Sequence, residues 1–388
     1  MKKVKQKTVA PAFISLAWLI IFIGRLTGPT LLVDIEESLS ISDAEAGIAL
    51  SAMWFLYGVM QFPGGALSDS FGRKKIILVS IASFGVASIL IGTTLNYIMM
   101  IVTFSLLGLA SGLFPSPSLT MLSELYRDKK GKALGIRSGF GSLSGLAPMG
   151  LPVLAFMIGW RNIFLFYSVV ALAIGYLFYV FVEETLDELK KRSGLTQLKM
   201  GLRSLTEKET SFMFLINLIV SFAWIGMLSW FPTYIQKSKG FSPEIAGILF
   251  SIILLGVTIL KPILGHFSDR VNKLFLILFL LITASISLYL LTITEGLFSL
   301  GIIAFLFSQT GAFYPIRTSY LTEKWYSKNT GTKLGVFRSG IILLGSPISA
   351  VIGWTKTIYS FDTAIFLVAG LLSLAAVLVL GKLIIGRR

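Results

Sequence analysis

The sequence predicts an all-α integral membrane protein built from two pseudo-symmetric six-helix bundles, and three observations carry that prediction. Hydrophobic residues make up 55% of the 388-residue chain and charged residues only 14%, against about 25% charged in an average soluble domain. Lipid is therefore expected to be its main solvent. Apolar runs near the ~20 residues that a helix needs to cross the hydrocarbon core recur between short polar breaks. The second half of the chain also repeats landmarks of the first at an offset of 200 residues.

The first span is expected over 9–33. "MKKVKQK" before it has the charged form of a secretion signal, but no clear small-residue cleavage site follows and many more apolar runs come after, so it reads as a retained first helix. The second span, 44–67, runs from "SDAEAGI" into the charged stretch "GGALSDSFGRKK" at 64–75. The run from Ile76 to Leu95 is the third span, and 98–124 the fourth. Span 5, 133–157, starts among cations and contains "SLSGLAPMGLP"; span 6, 161–182, is the run from Ile163 to Val182. A long polar interval then divides the chain. Span 7, 210–236, holds "LINLIVSFAWIGMLSWFPTYI", and span 8, 243–267, leads into "LGHFSDRVNK" at 264–273. Spans 9 to 12 follow at 274–293, 297–321, 333–355 and 361–384. The organisation expected is a bundle over 1–182, a cytoplasmic central loop over 183–209 and a second bundle over 210–388.

Of the 34 lysines and arginines, 25 fall in segments on the side of the N-terminus and central loop. Four (Arg161, Lys237, Lys239, Lys356) fall in the opposite loops, and five lie inside spans. By the positive-inside rule, both termini and the central loop are expected in the cytoplasm of a multi-pass cell-membrane protein. Topology and attraction to anionic membrane lipid account for the net charge of +15 without nucleic-acid binding.

Cysteine is absent, which excludes disulfides, thiolate nucleophiles and Cys-based zinc sites. The single histidine, His266, cannot build a multi-histidine metal site, and at the membrane edge it reads as a solvated loop residue. The spans hold no nucleophile, metal cluster or paired carboxylates of the kind an integral-membrane enzyme would need. No enzymatic activity and no cofactor are expected.

Shifting the sequence by 200 brings the halves into register. "SDAEAGI" at 42–48 meets "SPEIAGI" at 242–248; Gly65, Ser68 and Asp69 meet Gly265, Ser268 and Asp269. "GLFP" at 112–115 meets "AFYP" at 312–315, and "LGIRSG" at 134–139 meets "LGVFRSG" at 334–340 with one insertion. Two parallel repeats put a substrate site at their interface, near the bilayer midplane. A channel or receptor would not need matched halves.

The stretch from Gly65 to Lys75, "GALSDSFGRKK", resembles the G-x-L-x-D-R-x-G-R-K/R signature of the major facilitator superfamily. Ser70 stands where that family usually has arginine, and the second copy keeps Asp269 and Arg270 but has Asn272 for the second glycine. The resemblance covers the whole chain in length, topology, central loop and repeated motif. It implies a secondary active transporter of a small solute, working by alternating access as a monomer, with H+ or Na+ as a coupling ion.

Gly65 lets span 2 approach a neighbouring helix closely, and Gly72 permits the turn between spans 2 and 3. The resemblance implies that Asp69 contacts the start of span 11 when the carrier faces outward, where Lys333 and Arg338 are the nearest candidates. By pseudo-symmetry, Asp269 should face the start of span 5, with Lys132 or Arg137. Arg73 is expected to pair with Glu124 or Asp128. Together these contacts would hold the cytoplasmic side shut.

The five intramembrane cations are Arg25, Arg137, Lys261, Arg317 and Arg338, whereas all 19 acids fall in loops or at span ends. An intramembrane charge costs about 2.5–3.5 kcal/mol on insertion scales and marks a functional site by default. Buried cations without buried carboxylates point to an anionic substrate, organic or inorganic, as their partner. Arg137 and Arg338 form a repeat pair near the cytoplasmic edge and read as gate residues. Lys261 and Arg317 are substrate candidates, although Lys261 could also snorkel to the cytoplasm. Arg25 lies deep in span 1 between Gly24 and Gly28 and has no counterpart in the second repeat, where Ile225 stands. The resemblance implies that span 1 faces the cavity and that an arginine there binds the anion; its planar fork suits carboxylate or phosphate. Span 7 holds no cation, so that pattern is incomplete. Tyr57, Gln61, Asn217, Trp224, Gln309 and Tyr314 are candidate cavity residues, each with helix packing as the competing role. A mostly aromatic, apolar pocket would also suit a drug exporter of the same superfamily, which is the alternative function.

Overall fold

Twelve helices long and apolar enough to cross a membrane succeed one another in the computed structural model, which describes residues 2–126, 130–186, 194–325 and 330–385. Spans 1 to 6 are Val9–Thr30, Asp43–Phe71, Arg73–Gly92, Tyr97–Leu125, Ala133–Ile158 and Trp160–Phe181. Spans 7 to 12 are Lys208–Lys237, Pro243–Ser268, Lys273–Ile293, Leu297–Lys324, Thr330–Ile358 and Phe361–Ile385. The side bearing the central loop is called the basic side here, and the opposite side the far side.

The repeated sequence landmarks perform repeated structural tasks. The Ser42 hydroxyl accepts from the Glu45 amide, and the Glu45 carboxylate accepts back from the Ser42 amide, so a capping box opens span 2. The Ser242 hydroxyl accepts from the Ile245 amide and caps the start of span 8, without the returning carboxylate at that position. Prolines interrupt corresponding helices in both halves, because proline lacks an N–H and its ring collides with the carbonyl four residues back. Span 4 breaks at Phe114 before Pro115, and span 10 passes through a 3-10 turn, Ser308–Thr310, before Pro315. Span 5 breaks at Ser144–Leu146 before Pro148, and span 11 at Pro347. Interrupted spans in matching positions are where carriers of this build place their binding sites.

Two segments depart from the simple loops expected. The acidic stretch after span 1 forms a short helix, Leu32–Leu39, which buries Leu32, Ile35 and Glu36 and ends on Ser40 at φ 52°. Within the central polar interval, Gly194–Ser204 forms a helix. It packs against the start of span 11, where Val336 fills the space that a side chain at position 201 would need. Its apolar residues are too few to span and were hidden by the flanking charges.

The halves meet along the far part of their seam. A Cβ on Gly47 of span 2 would stand 2.6 Å from the Ser349 carbonyl oxygen of span 11, and one on Gly58 would stand 2.8 Å from the Leu343 nitrogen. Gly247 of span 8 likewise lies against the Pro148 carbonyl of span 5. On the basic side the seam is open. Gly131, Gly135 and Gly139 of span 5, and Gly331 and Gly335 of span 11, have nothing within 4 Å of where a Cβ would stand.

Candidate functional site

The intramembrane cations converge where the seam passes from closed to open. Arg25 is 3% exposed and sits in an aromatic box from spans 1 and 2, its guanidinium carbon 4.2 Å from the Tyr57 ring centre, 4.8 Å from Phe22, 5.6 Å from Trp54 and 5.8 Å from Trp18. Aromatic faces attract such a cation but offer it no counter-charge. Arg137 also lies over Trp18, at 4.4 Å. Across the seam, buried Arg317 donates to the Asn217 side-chain oxygen at 3.3 Å and stands over Tyr314 and Phe337 at 4.9 and 5.5 Å. Arg338 lies within electrostatic reach of Arg137, Arg317, Lys261 and the Tyr57 hydroxyl, and so ties the two halves of the cluster together.

None of the five cations forms an ion pair with a carboxylate among the described residues. The Nε atoms of Arg25, Arg137 and Arg317, and one terminal nitrogen of Arg137, are buried without a hydrogen-bond partner. A buried unpaired donor is costly, and an anion is the chemistry that would relieve it. Among the described residues no cluster of His, Asp and Glu could hold a metal ion.

The other candidates divide. Tyr57 is 3% exposed and belongs to the Arg25 box, with Gln61 one turn along the same helix and its amide nitrogen unpaired. Asn217 serves the site by holding Arg317. Trp224 instead packs on span 10, where a Cβ at Gly311 would stand 2.6 Å from its ring. Gln309 turns to span 9 and donates to Thr283 at 2.6 Å. His266 is exposed at the membrane edge.

On the basic side, the motif charges pair within their own half. Asp69 forms an ion pair with Arg73, four residues on, and Arg73 also donates to Ser68 at 2.9 Å and approaches Glu124 at 3.4 Å. Gly65 makes the close approach: its Cβ would stand 2.7 Å from the Ser116 hydroxyl of span 4. Gly72 turns the chain at φ 96°. Lys333 pairs with Glu207 at 3.1 Å, so neither it nor Asp69 reaches across in this arrangement. Asp269 is exposed and caps the end of span 8. Asp128 and the Lys132 side chain, named as partners in this gate, lie outside the described residues.

The far side carries a lattice of charges that the sequence did not single out. Lys237, at the end of span 7, donates to Glu36 at 2.6 Å and to Asp43 at 2.9 Å, and Lys356 of span 11 also pairs with Asp43. Glu36 is 4% exposed. Its burial pushes the carboxyl up to about 7, with nearby Asp43 adding to the rise and Lys237 opposing it. One layer deeper, Trp54 donates to Ser229 at 3.1 Å, Ser229 meets Ser349 at 2.7 Å, and Ser51 donates to the Ser346 carbonyl at 2.9 Å. Trp54 therefore belongs both to the Arg25 box and to the closure above it.

Two repeats of six spanning helices, closed at one end of their seam and parted at the other, have the build of a membrane transporter. The chain belongs to the Major Facilitator Superfamily, whose model matches residues 13–340. It is similar to a probable sulfoacetate transporter, SauU, of Cupriavidus necator, with 24% identity over 70% of this chain and 67% of that protein. It is also similar to the multidrug resistance protein MdtG of Escherichia coli, 26% identical over the same shares. Among solved structures, a point mutant of the nucleoside transporter NupG superposes with a TM-score of 0.83 at 14% identity, covering 98% of this chain and 99% of that one. A bacterial homologue of the human lysosomal transporter Spinster, inward-facing and unoccupied, superposes with a TM-score of 0.79 at 14% identity, covering 96% of both chains. These structural likenesses concern the fold.

Proposed function

We propose that this transporter moves a small anion, an organic carboxylate or sulfonate or an inorganic ion, by alternating access. The observation that carries the reading is the convergence of Arg25, Arg137, Arg317, Arg338 and Lys261 on one region with no carboxylate paired to any of them among the described residues. In this proposal Arg25 is the principal ligand, Arg317 and Lys261 contribute from the second half, and Arg137 with Arg338 gates the basic side. That side is cytoplasmic, so the arrangement is inward-facing. Labelling of a cysteine at Lys199 by an impermeant thiol reagent outside intact cells would reverse the orientation. The sulfoacetate name carried by one relative accords with anion transport.

A drug exporter is favoured by one observation: four aromatic rings surround Arg25, and a relative bears a multidrug name. Binding to the purified protein separates the two. A charge-assisted contact contributes on the order of 1.5–3 kcal/mol, or roughly ten- to a hundredfold in affinity. Arg25→Ala should lose that much affinity for a transported anion while still inserting and purifying. Arg25→Lys, which keeps the charge and loses the fork, should fall between. Anion binding unchanged by Arg25→Ala, together with saturable efflux of a lipophilic dye, would put the exporter ahead.

A further inference from the structure

The two repeats finish their basic-side corners differently. In the first, the chain leaving span 6 turns back over the start of span 3. The Glu184 carboxylate accepts from the Lys74 amide at 2.9 Å, Thr185 donates to Glu124 at 2.6 Å, and the Lys74 ammonium donates to the Tyr179 carbonyl at 2.8 Å. A carboxylate of the chain itself thus fills that corner beside a lysine.

At the same place in the second repeat, 200 residues on, there is a cavity of about 960 Å³ among the starts of spans 7 and 9 and the ends of spans 10 and 12. Span 12 continues as helix to Ile385, through the positions where the first repeat turns back. Asn272 caps span 9 itself, accepting from the Leu274 and Phe275 amides at 2.9 and 3.3 Å. Lys208, Lys273, Lys324 and Lys382 line the cavity against two carboxylates, Glu209 and Glu323. Lys273 is held by Glu323 at 2.7 Å and Lys382 by Glu209 at 2.6 Å. Lys208 and Lys324 are exposed and form no ion pair among the described residues. The lower wall is apolar: Phe212 lies under the Lys382 ammonium at 4.1 Å, and Leu378 and Ile385 are exposed along span 12.

We propose that this cavity binds an anionic phospholipid, its phosphate between Lys208 and Lys324 and its acyl chains along the outer face of span 12. The charge surplus calls for an anion, and the position at the span ends is the level of the headgroups. The apolar wall continues the cavity toward the hydrocarbon core, which a free phosphate would leave unused. Basic recesses between helices on the cytoplasmic side suit anionic headgroups on general grounds. The site is separate from the central cations, so it stands whether or not the transported solute is an anion.

Native mass spectrometry of the purified full-length protein tests this, with phosphatidylglycerol, phosphatidylcholine and soluble glycerol 3-phosphate as probes. Wild type should retain phosphatidylglycerol in preference to phosphatidylcholine. Each unpaired lysine removed should cost about fivefold of that preference, so Lys208→Gln with Lys324→Gln should nearly abolish it. Lys75→Gln with Lys199→Gln, exposed cations elsewhere on the basic side, should leave it unchanged. Should the double variant not purify, Lys324→Gln alone, an exposed change, should still show the single step. Equal retention of the two lipids, or equal losses in both variant pairs, would overturn the proposal. Glycerol 3-phosphate that binds wild type, displaces the lipid at millimolar concentration and fails to bind the double variant would make this a soluble-anion site and overturn the lipid assignment.

Discussion

At the far end of the seam, charges join the two bundles; at the basic end, they pair inside each bundle. Lys237 reaches partners 201 and 194 residues away in sequence, and Lys356 reaches Asp43 at a separation of 313. Asp69 and Arg73 are four residues apart, Lys273 and Glu323 are 50 apart, and Lys333 finds Glu207 at the foot of span 7. The contrast shows how such a seam can open at modest cost. A buried charge stripped of its partner is strongly destabilising, but a charge with a local partner available can release a distant one without being left bare. Asp69 has such a local partner in Arg73 in this structure.

The comparison is broken most severely by denying the far end its contact. Gly247→Val would drive a branched side chain into the Pro148 carbonyl, a backbone atom that cannot step aside. Overpacking of this kind costs at least 1–3 kcal/mol, so transport should fall about tenfold or more. A cysteine at Ser51 should at the same time become reactive from the far side. Wild-type transport by this variant would show that closure does not require the close approach of spans 5 and 8.

Removing charge should act more gently and in opposite directions at the two ends. Asp43→Asn weakens both lysine contacts and should shift the population toward a far-side-open state by about tenfold. Asp69→Asn loses only a local pair here, but would lose the cross-seam contact implied for the other state, so it should favour the present arrangement by about fivefold. Spin-label distances across the far ends of spans 2 and 11 measure both. Shifts of the same sign would mean that the two ends do not oppose each other.

The smallest effect concerns pH. Glu36 is held above its ordinary range, near 7, in the closed far end. Its contribution to closure is fully present below about 4.5, the usual carboxylate value, and is lost as pH rises through about 7. Raising the far-side pH from about 6.5 to about 7.5 should therefore favour opening by roughly threefold. Glu36→Gln should flatten the response; a pH profile that survives that change would assign it to another group.

The span count, the repeat and the motif were legible because each rests on local pattern: apolar runs near membrane thickness, matched landmarks 200 residues apart and a glycine at φ 96° between two helices. The five cations were legible as charges inside apolar spans. Their convergence was not, because it depends on which faces of spans 1, 5, 8, 10 and 11 turn inward, and hydropathy is nearly uniform around these helices. Trp224 and Gln309 illustrate this: each reads as a cavity candidate with helix packing as the competing role, and each meets a neighbouring helix, at Gly311 and Thr283. The far-side lattice escaped for a different reason. Glu36, Asp43, Lys237 and Lys356 look like ordinary loop charges, and only the folded chain shows that residues hundreds of positions apart share a layer.

The proline breaks have a mechanical consequence. The basic half of span 10, Tyr314–Lys324, is an 11-residue rod, or about 16 Å at 1.5 Å per residue. Pivoting by about 10° at its proline, such a rod would carry Lys324 through about 2–3 Å while Arg317, about half a turn from the fulcrum, would travel less than about 1 Å. Such a break would work as a lever with Arg317 near its pivot and the cavity lysine at its tip, so the outer rim could swing widely while Arg317 scarcely moves.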